Sequence, residues 1–147
     1  MSRVQLALNV SDIDAAVAFY STLFGTGPSK RRPGYANFAL SEPPLKLVLI
    51  ESDVHGDDGV TGRLNHLGVE VGSTDEVARA ASRLSGDGLV TTTEDATTCC
   101  YAVQDKVWVR DPDGAPWEIY TVLADAPPES SIDGGGGCCL PAQAKTR

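Results

Sequence analysis

The 147-residue sequence contains no run of the roughly 18 to 20 apolar residues that a membrane span needs, and Met1-Ser2-Arg3 leads into an alternating segment instead of an apolar signal core. A soluble, cytoplasmic protein is expected. Positive charge is in short supply: 12 Lys and Arg stand against 20 Asp and Glu, a formal net charge of -8. Such a field repels phosphate backbones and anionic lipid, so neither nucleic acid nor a membrane is an expected partner. Spaced cysteines are missing as well, since all four occur as adjacent pairs, Cys99-Cys100 and Cys138-Cys139. Neighbouring Cα atoms lie about 3.8 Å apart, short of the usual disulfide separation, and a cytosolic chain keeps its thiols reduced. What remains to adjacent thiols is to offer two soft sulfur donors together. The length leaves room for one domain with a small-molecule site, as a monomer or homodimer.

What is present is a unit written twice. Gln5-Leu6-Ala7-Leu8-Asn9-Val10 and His66-Leu67-Gly68-Val69-Glu70-Val71 are strand-like segments about 61 residues apart, each followed by a helical pattern. The first helix is expected to be capped by Ser11 and to carry Ile13, Ala16, Val17, Tyr20 and Phe24 as its apolar stripe, ending before Gly25. The second is expected to start from Ser73 or Thr74, to carry Val77, Ala80, Ala81 and Leu84, and to stop at Gly86. Strands are then expected near 29–32, over 35–40 and 45–51 in the first unit, and over 89–94, 101–110 and 117–122 in the second. The class is α+β: two βαβββ modules, about 3–52 and 64–123, forming one domain over residues 1–123. Residues 124–147, rich in Gly and Pro and carrying Cys138-Cys139, cannot bury enough apolar surface to offset ordering and are expected to form a mobile tail.

Alternation gives each leading strand an apolar face and a polar one. Leu6, Leu8 and Val10 oppose Gln5, Ala7 and Asn9; Leu67, Val69 and Val71 oppose His66, Gly68 and Glu70. A polar face with Ala7 or Gly68 at its middle leaves space for a ligand. Taken singly, Gln5, His66 and Glu118 are ordinary polar residues. Together with the turn Asp111-Pro112-Asp113-Gly114 and the strand Ala115-Pro116-Trp117-Glu118, the paired modules resemble the vicinal oxygen chelate superfamily, which includes glyoxalase I, extradiol dioxygenases and bleomycin-resistance proteins. The resemblance implies a cupped mixed sheet holding a metal on Gln5, His66 and Glu118. An amide, an imidazole and a carboxylate suit a divalent ion, and three protein ligands leave positions open for water, O₂ or substrate.

The thiols narrow the resemblance further. Cys99-Cys100 is placed in a connection after Glu94 that leads into the seventh strand, near the mouth of the cup. Two thiolates can displace both hydroxyls of a trivalent R-As(OH)₂, leaving the carbon-arsenic bond free to face a metal. A metal trio with a Cys-Cys pair before Tyr101 is similar to the organoarsenical carbon-arsenic lyases of bacterial arsenic-resistance operons. That resemblance implies Fe(II), with Ni, Zn or Co as substitutes in vitro, O₂ as co-substrate, arsenic held by Cys99 and Cys100, and arsenite as product. Tyr101, Asn9 and Glu70 are candidates for groups behind the ligands, and Cys138-Cys139 for accessory capture of As(III). Two alternatives stand beside this: a protein that sequesters Cd(II), As(III) or a drug without turnover, and a glyoxalase-like isomerase. The isomerase needs a second metal-bound carboxylate in the first module, and the residue expected at that place is Lys46.

Overall fold

The computed structural model describes residues 2–52, 63–99 and 101–126. The order is β1 (Arg3–Val10), α1 (Ile13–Phe24), β2 (Lys30–Arg32), β3 (Tyr35–Leu40) and β4 (Leu45–Glu51), followed by β5 (Leu64–Glu70), α2 (Thr74–Gly86), β6 (Thr92–Cys99), β7 (Ala102–Arg110) and β8 (Pro116–Asp125). This is the βαβββ unit twice. The eight strands form one curled mixed sheet in the order β2-β3-β4-β1-β5-β8-β7-β6. The two leading strands, β1 and β5, pair antiparallel at its centre, and each has its own module's last strand alongside in parallel.

Alternation decides what lies on each face. Leu47 and Leu49 of β4, Ala36 and Phe38 of β3, and Ile13 and Val17 of α1 form a buried core, against which Leu6, Leu8, Tyr20 and Phe24 pack. The apolar face of β1 therefore meets the helix. In the second module Val77 and Leu84 are the buried positions of α2, which packs on β7 and β8. The opposite, concave face keeps the polar residues.

Several boundaries differ from expectation. The first helix is capped by Asp12, not Ser11: its side chain accepts from Ala15 N, while Glu51 at the end of β4 accepts from Ile13 N at 2.8 Å. Ser73 caps α2 and shares a reciprocal pair of hydrogen bonds with Glu76. That helix continues through Gly86 to an Asp87 cap, and the chain reverses at Gly88, φ 89°. The strand expected over 89–94 begins instead at Thr92 and runs to Cys99, so 95–98 is strand, not connection. A register shift between Glu94 and Thr97 breaks the ladder there, and the N–H of Ala96, φ 48°, is taken up by Asp105 Oδ1 at 2.7 Å. The last strand runs to Asp125, and Ala126 is buried with its N–H on Tyr101 O, so the domain extends past residue 123. No helix among the described residues is long and apolar enough to cross a membrane.

Candidate metal centre

The cross-strand register brings the three expected ligands together. Gln5 lies opposite Gly68, and Gly68 lies beside Glu118, so Gln5, Gly68 and Glu118 form one row across β1, β5 and β8; His66 lies one pleat along, opposite Ala7. Gly68 is the spacer this row requires. A Cβ there would stand 2.9 Å from both Glu118 Cγ and the Glu118 carbonyl oxygen, and 3.5 Å from Gln5 Nε2. The position of Glu118 is set from the turn side as well: Asp111 Oδ1 accepts from the N–H groups of Asp113 and Ala115, closing the turn that pairs Trp108 with Glu118.

Gln5 Nε2 is 2.9 Å from His66 Nε2 and 2.7 Å from Glu118 Oε1, while His66 Nε2 is 3.2 Å from Glu118 Oε1. Ligand atoms held at right angles on a first-row divalent ion, with bonds of roughly 2.0 to 2.2 Å, stand about 3 Å apart. The separations are close to that spacing, but Gln5 faces the other two groups with its Nε2, so it would serve as a ligand through Oε1 with the amide turned over; all three side chains are buried. Amide, imidazole and carboxylate thus fit a divalent metal, held by three protein groups.

The surroundings prepare these atoms. His66 Nδ1 donates to Asn65 Oδ1 at 2.7 Å, and Asn65 Nδ2 donates to Asn9 Oδ1 at 3.0 Å, so the ring is held with its Nε2 toward the trio. The edge of Trp108 rests against the same ring. Glu118 Oε2 is paired with the fully buried Lys106 Nζ at 3.0 Å. Burial pushes the Glu118 carboxyl up, yet His66 and the Lys106 ammonium together hold it below the usual carboxylate range, so it is a carboxylate. Behind Gln5, the Tyr120 hydroxyl touches Gln5 Oε1 and lies 2.9 Å from Glu70 Oε2. Burial, followed by the neighbouring Glu70 and Glu118 charges, pushes the Tyr120 phenol far up, which keeps it protonated. Glu70 in turn holds Arg3 and Lys46, each at 3.1 Å; burial works to raise its carboxyl, but Lys46 and the hydrogen bonds from Arg3 and Tyr120 leave it lowered.

The trio opens on a cavity of about 250 Å³ whose wall includes Tyr35, Asn37, Val48, Gln104 and Lys106. Asn9 bonds Asn65 behind His66, Glu70 bonds Tyr120 behind Gln5, and the Tyr101 ring packs on Tyr35, 5.3 Å between centroids. Lys30 donates to Tyr101 O at 3.4 Å and pairs with Asp125, linking β2 to the far end of β8 across the cup. Cys99 ends β6, and only Cys100 and Tyr101 separate it from its ladder partner Ala102. The Cys99 side chain, and Cys100, Cys138 and Cys139 altogether, lie outside the described residues. Lys106, Tyr120 and Asn65 were not among the expected site residues, although Tyr120 shares the strand face of Glu118, two positions on.

The internal symmetry corrects one expectation. A shift of about 61 residues carries Gln5 onto His66 and Ala7 onto Gly68; because Ala7 pairs with Val48 as Gly68 pairs with Glu118, the counterpart of Glu118 is Val48, not Lys46. Lys46 lies one pleat away, beside Gln5. A side chain without donor atoms thus occupies the place where a four-ligand site would carry its second carboxylate.

With this fold and site, and with residues 3–119 matching its family profile, the chain belongs to the Glyoxalase/Bleomycin resistance protein/Dioxygenase superfamily. Within it, the chain is 59% identical to a trivalent organoarsenical cleaving enzyme from Thermomonospora curvata, over 96% of this chain and 90% of that protein. It is also 61% identical to cadmium-induced protein CadI from Mycobacterium tuberculosis, over 86% of this chain and 80% of that one. Among solved structures, an extradiol ring-cleaving dioxygenase from B. fuscum shares the fold, with a TM-score of 0.60 and 20% identity, over 85% of this chain and 34% of that one.

Proposed function

We propose that this protein cleaves the carbon-arsenic bond of trivalent organoarsenicals, methylarsonous acid and trivalent aromatic arsenicals among them, releasing inorganic arsenite, with Fe(II) held by Gln5, His66 and Glu118 and O₂ as co-substrate. The observation that carries this is the convergence of an amide, an imidazole and a carboxylate group at 2.7 to 3.2 Å on one cavity, in a chain that shares 59% identity with an enzyme named for that cleavage.

When bound, Fe(II) supplies the activation of O₂. The chain does the rest. Cys99 and Cys100 exchange their thiol protons for arsenic as its two hydroxyls leave as water, and this anchoring makes the encounter of substrate and metal effectively unimolecular. The backbone suits that role: β7 runs from the thiol-bearing connection to Trp108, beside Glu118, carrying Gln104 and Lys106 past the cavity. Asn65 holds His66 with its Nε2 inward, and Lys106 pairs with the second Glu118 oxygen, so Glu118 would offer its Oε1 to the metal.

The similarity to a cadmium-induced protein favours a second reading, binding of a soft metal or metalloid without turnover. Reconstitution with Fe(II) under argon, addition of methylarsonous acid and admission of air separate the two when arsenic is speciated. Arsenite in excess of enzyme is expected from the parent protein. None is expected from Cys99→Ser or Cys100→Ser, which retain iron, nor from His66→Ala, which does not. Stoichiometric arsenical binding with no arsenite would establish sequestration instead. A glyoxalase-like isomerase is disfavoured by Val48.

A further inference from the structure

The hydrogen bonds around Tyr120 do not balance with Gln5 in a single orientation. A phenol carries one proton, yet the Tyr120 oxygen touches two acceptors, Gln5 Oε1 and Glu70 Oε2, the latter at 2.9 Å. As placed, the Gln5 amide turns its Nε2 to His66 and Glu118, its two protons binding the trio together, and Tyr120 donates to Oε1. The Glu70 contact is then oxygen against oxygen. Turned over, the same amide gives one Nε2–H to the Tyr120 oxygen and Tyr120 donates to Glu70, so both close contacts of the Tyr120 oxygen become hydrogen bonds. The cost moves inward: Oε1, His66 Nε2 and Glu118 Oε1 become three lone-pair atoms facing one point, an arrangement only a cation stabilises.

We propose that Tyr120, backed by Glu70, is a positioning residue that turns the Gln5 amide oxygen toward the metal on loading, so that Gln5 switches between a hydrogen-bond donor and a ligand. The inference rests on the metal trio of the function proposed above. Glu70 suits the task because Arg3 and Lys46 hold both of its oxygens in place.

The test uses the full chain with ¹⁵N-labelled glutamine and Zn(II) as a diamagnetic probe. The Gln5 side-chain NH₂ is assigned by its loss in Gln5→Glu. Without metal its protons are expected to show nuclear Overhauser contacts to the His66 ring; with Zn(II) these give way to contacts with the Tyr120 ring. Tyr120→Phe is expected to weaken Zn(II) at least tenfold while its melting temperature holds. In the Gln5→Glu background, where both side-chain oxygens are equivalent, the same change should weaken Zn(II) less than threefold. An amide that stays on His66 in the zinc form, or a Tyr120→Phe protein that binds Zn(II) like its parent, overturns the proposal. If Tyr120→Phe fails to fold, the contacts in the unsubstituted protein decide alone. Zn(II) binding unaffected by His66→Ala overturns both this switch and the metal trio; zinc held by His66 with an unmoved amide overturns the switch only.

Discussion

Gly68 has no functional group, yet the approach of Gln5 to Glu118 depends on it. One of the two atoms nearest an added Cβ is backbone, the Glu118 carbonyl oxygen at 2.9 Å, which a rotamer change does not move. Gly68→Ala is therefore expected to push β8 away from β5, costing about 1 to 3 kcal/mol of stability and at least tenfold in divalent-metal affinity. Denaturant titration and metal competition measure the two effects separately. Lys106 makes the opposite argument. Its ammonium is buried against Glu118, and removing one partner of such a pair leaves the other charge stranded. Lys106→Met should cost the metal-free protein about 3 to 5 kcal/mol, and Zn(II) should restore part of that by supplying another positive charge to Glu118. An unfolding midpoint equal to the parent's without metal would show that the pair contributes nothing.

At the scale of elements, Asp105 ties three together. Its Oδ2 accepts from Thr74 Oγ1 at the start of α2 and its Oδ1 from the bulged Ala96 of β6, both at 2.7 Å, while the residue itself belongs to β7. The Ala96 N–H, aided by the Thr74 hydroxyl, lowers the Asp105 carboxyl from its ordinary range. A carboxyl with a lower pKa folded than unfolded contributes stability above its unfolded value, near 3.9, and loses it as pH falls through the folded value. Asp105→Asn should thus flatten the acid limb of a stability-pH profile below about pH 4 and leave the alkaline limb unchanged. An acid limb as steep as the parent's would remove Asp105 from the account.

The same scale shows how much the sequence discloses. Repeat, helix stripes and strand faces are local periodicities, and they put Gln5 and His66 on polar strand faces; grouping them with Glu118 as ligands comes from the family resemblance, not from periodicity. Lys106 and Tyr120 follow the identical period-two rule on β7 and β8, and extending the alternation from Glu118 leads to Tyr120. Asn65 is the extra residue where the β1–β5 register shifts between Ala7 and Leu8, and this bulge, which strict alternation does not reveal, lets it reach His66. The Val48 counterpart of Glu118 needs the register of four strands at once. The bulge at Ala96 carries β6 on past Glu94, because one unpaired N–H finds a side-chain acceptor that periodicity does not reveal.

For the whole molecule, the net charge of -8 does not describe the cavity, where Arg3, Lys30, Lys46 and Lys106 line the wall together with Glu70, Glu118 and Asp125. Charge balance over a chain excludes partners that feel the distant field and says little about a ligand already inside. The β1–β5 seam carries a last consequence. It is the central ladder between the modules, and it divides the ligands: Gln5 belongs to the first half, His66 and Glu118 to the second. Fragments 1–52 and 63–147 should each remain largely unstructured, since each leaves a central strand edge bare, and should reconstitute the sheet when mixed. Divalent metal should tighten that association, because only the joined pair completes the site. Co-sedimentation of the two fragments with and without Zn(II) measures it; equal affinity in both conditions would mean that the metal does not bridge the halves. In that sense an ion held on the proposed trio would also be a clasp between two half-proteins, and its loss would be felt in assembly as well as in chemistry.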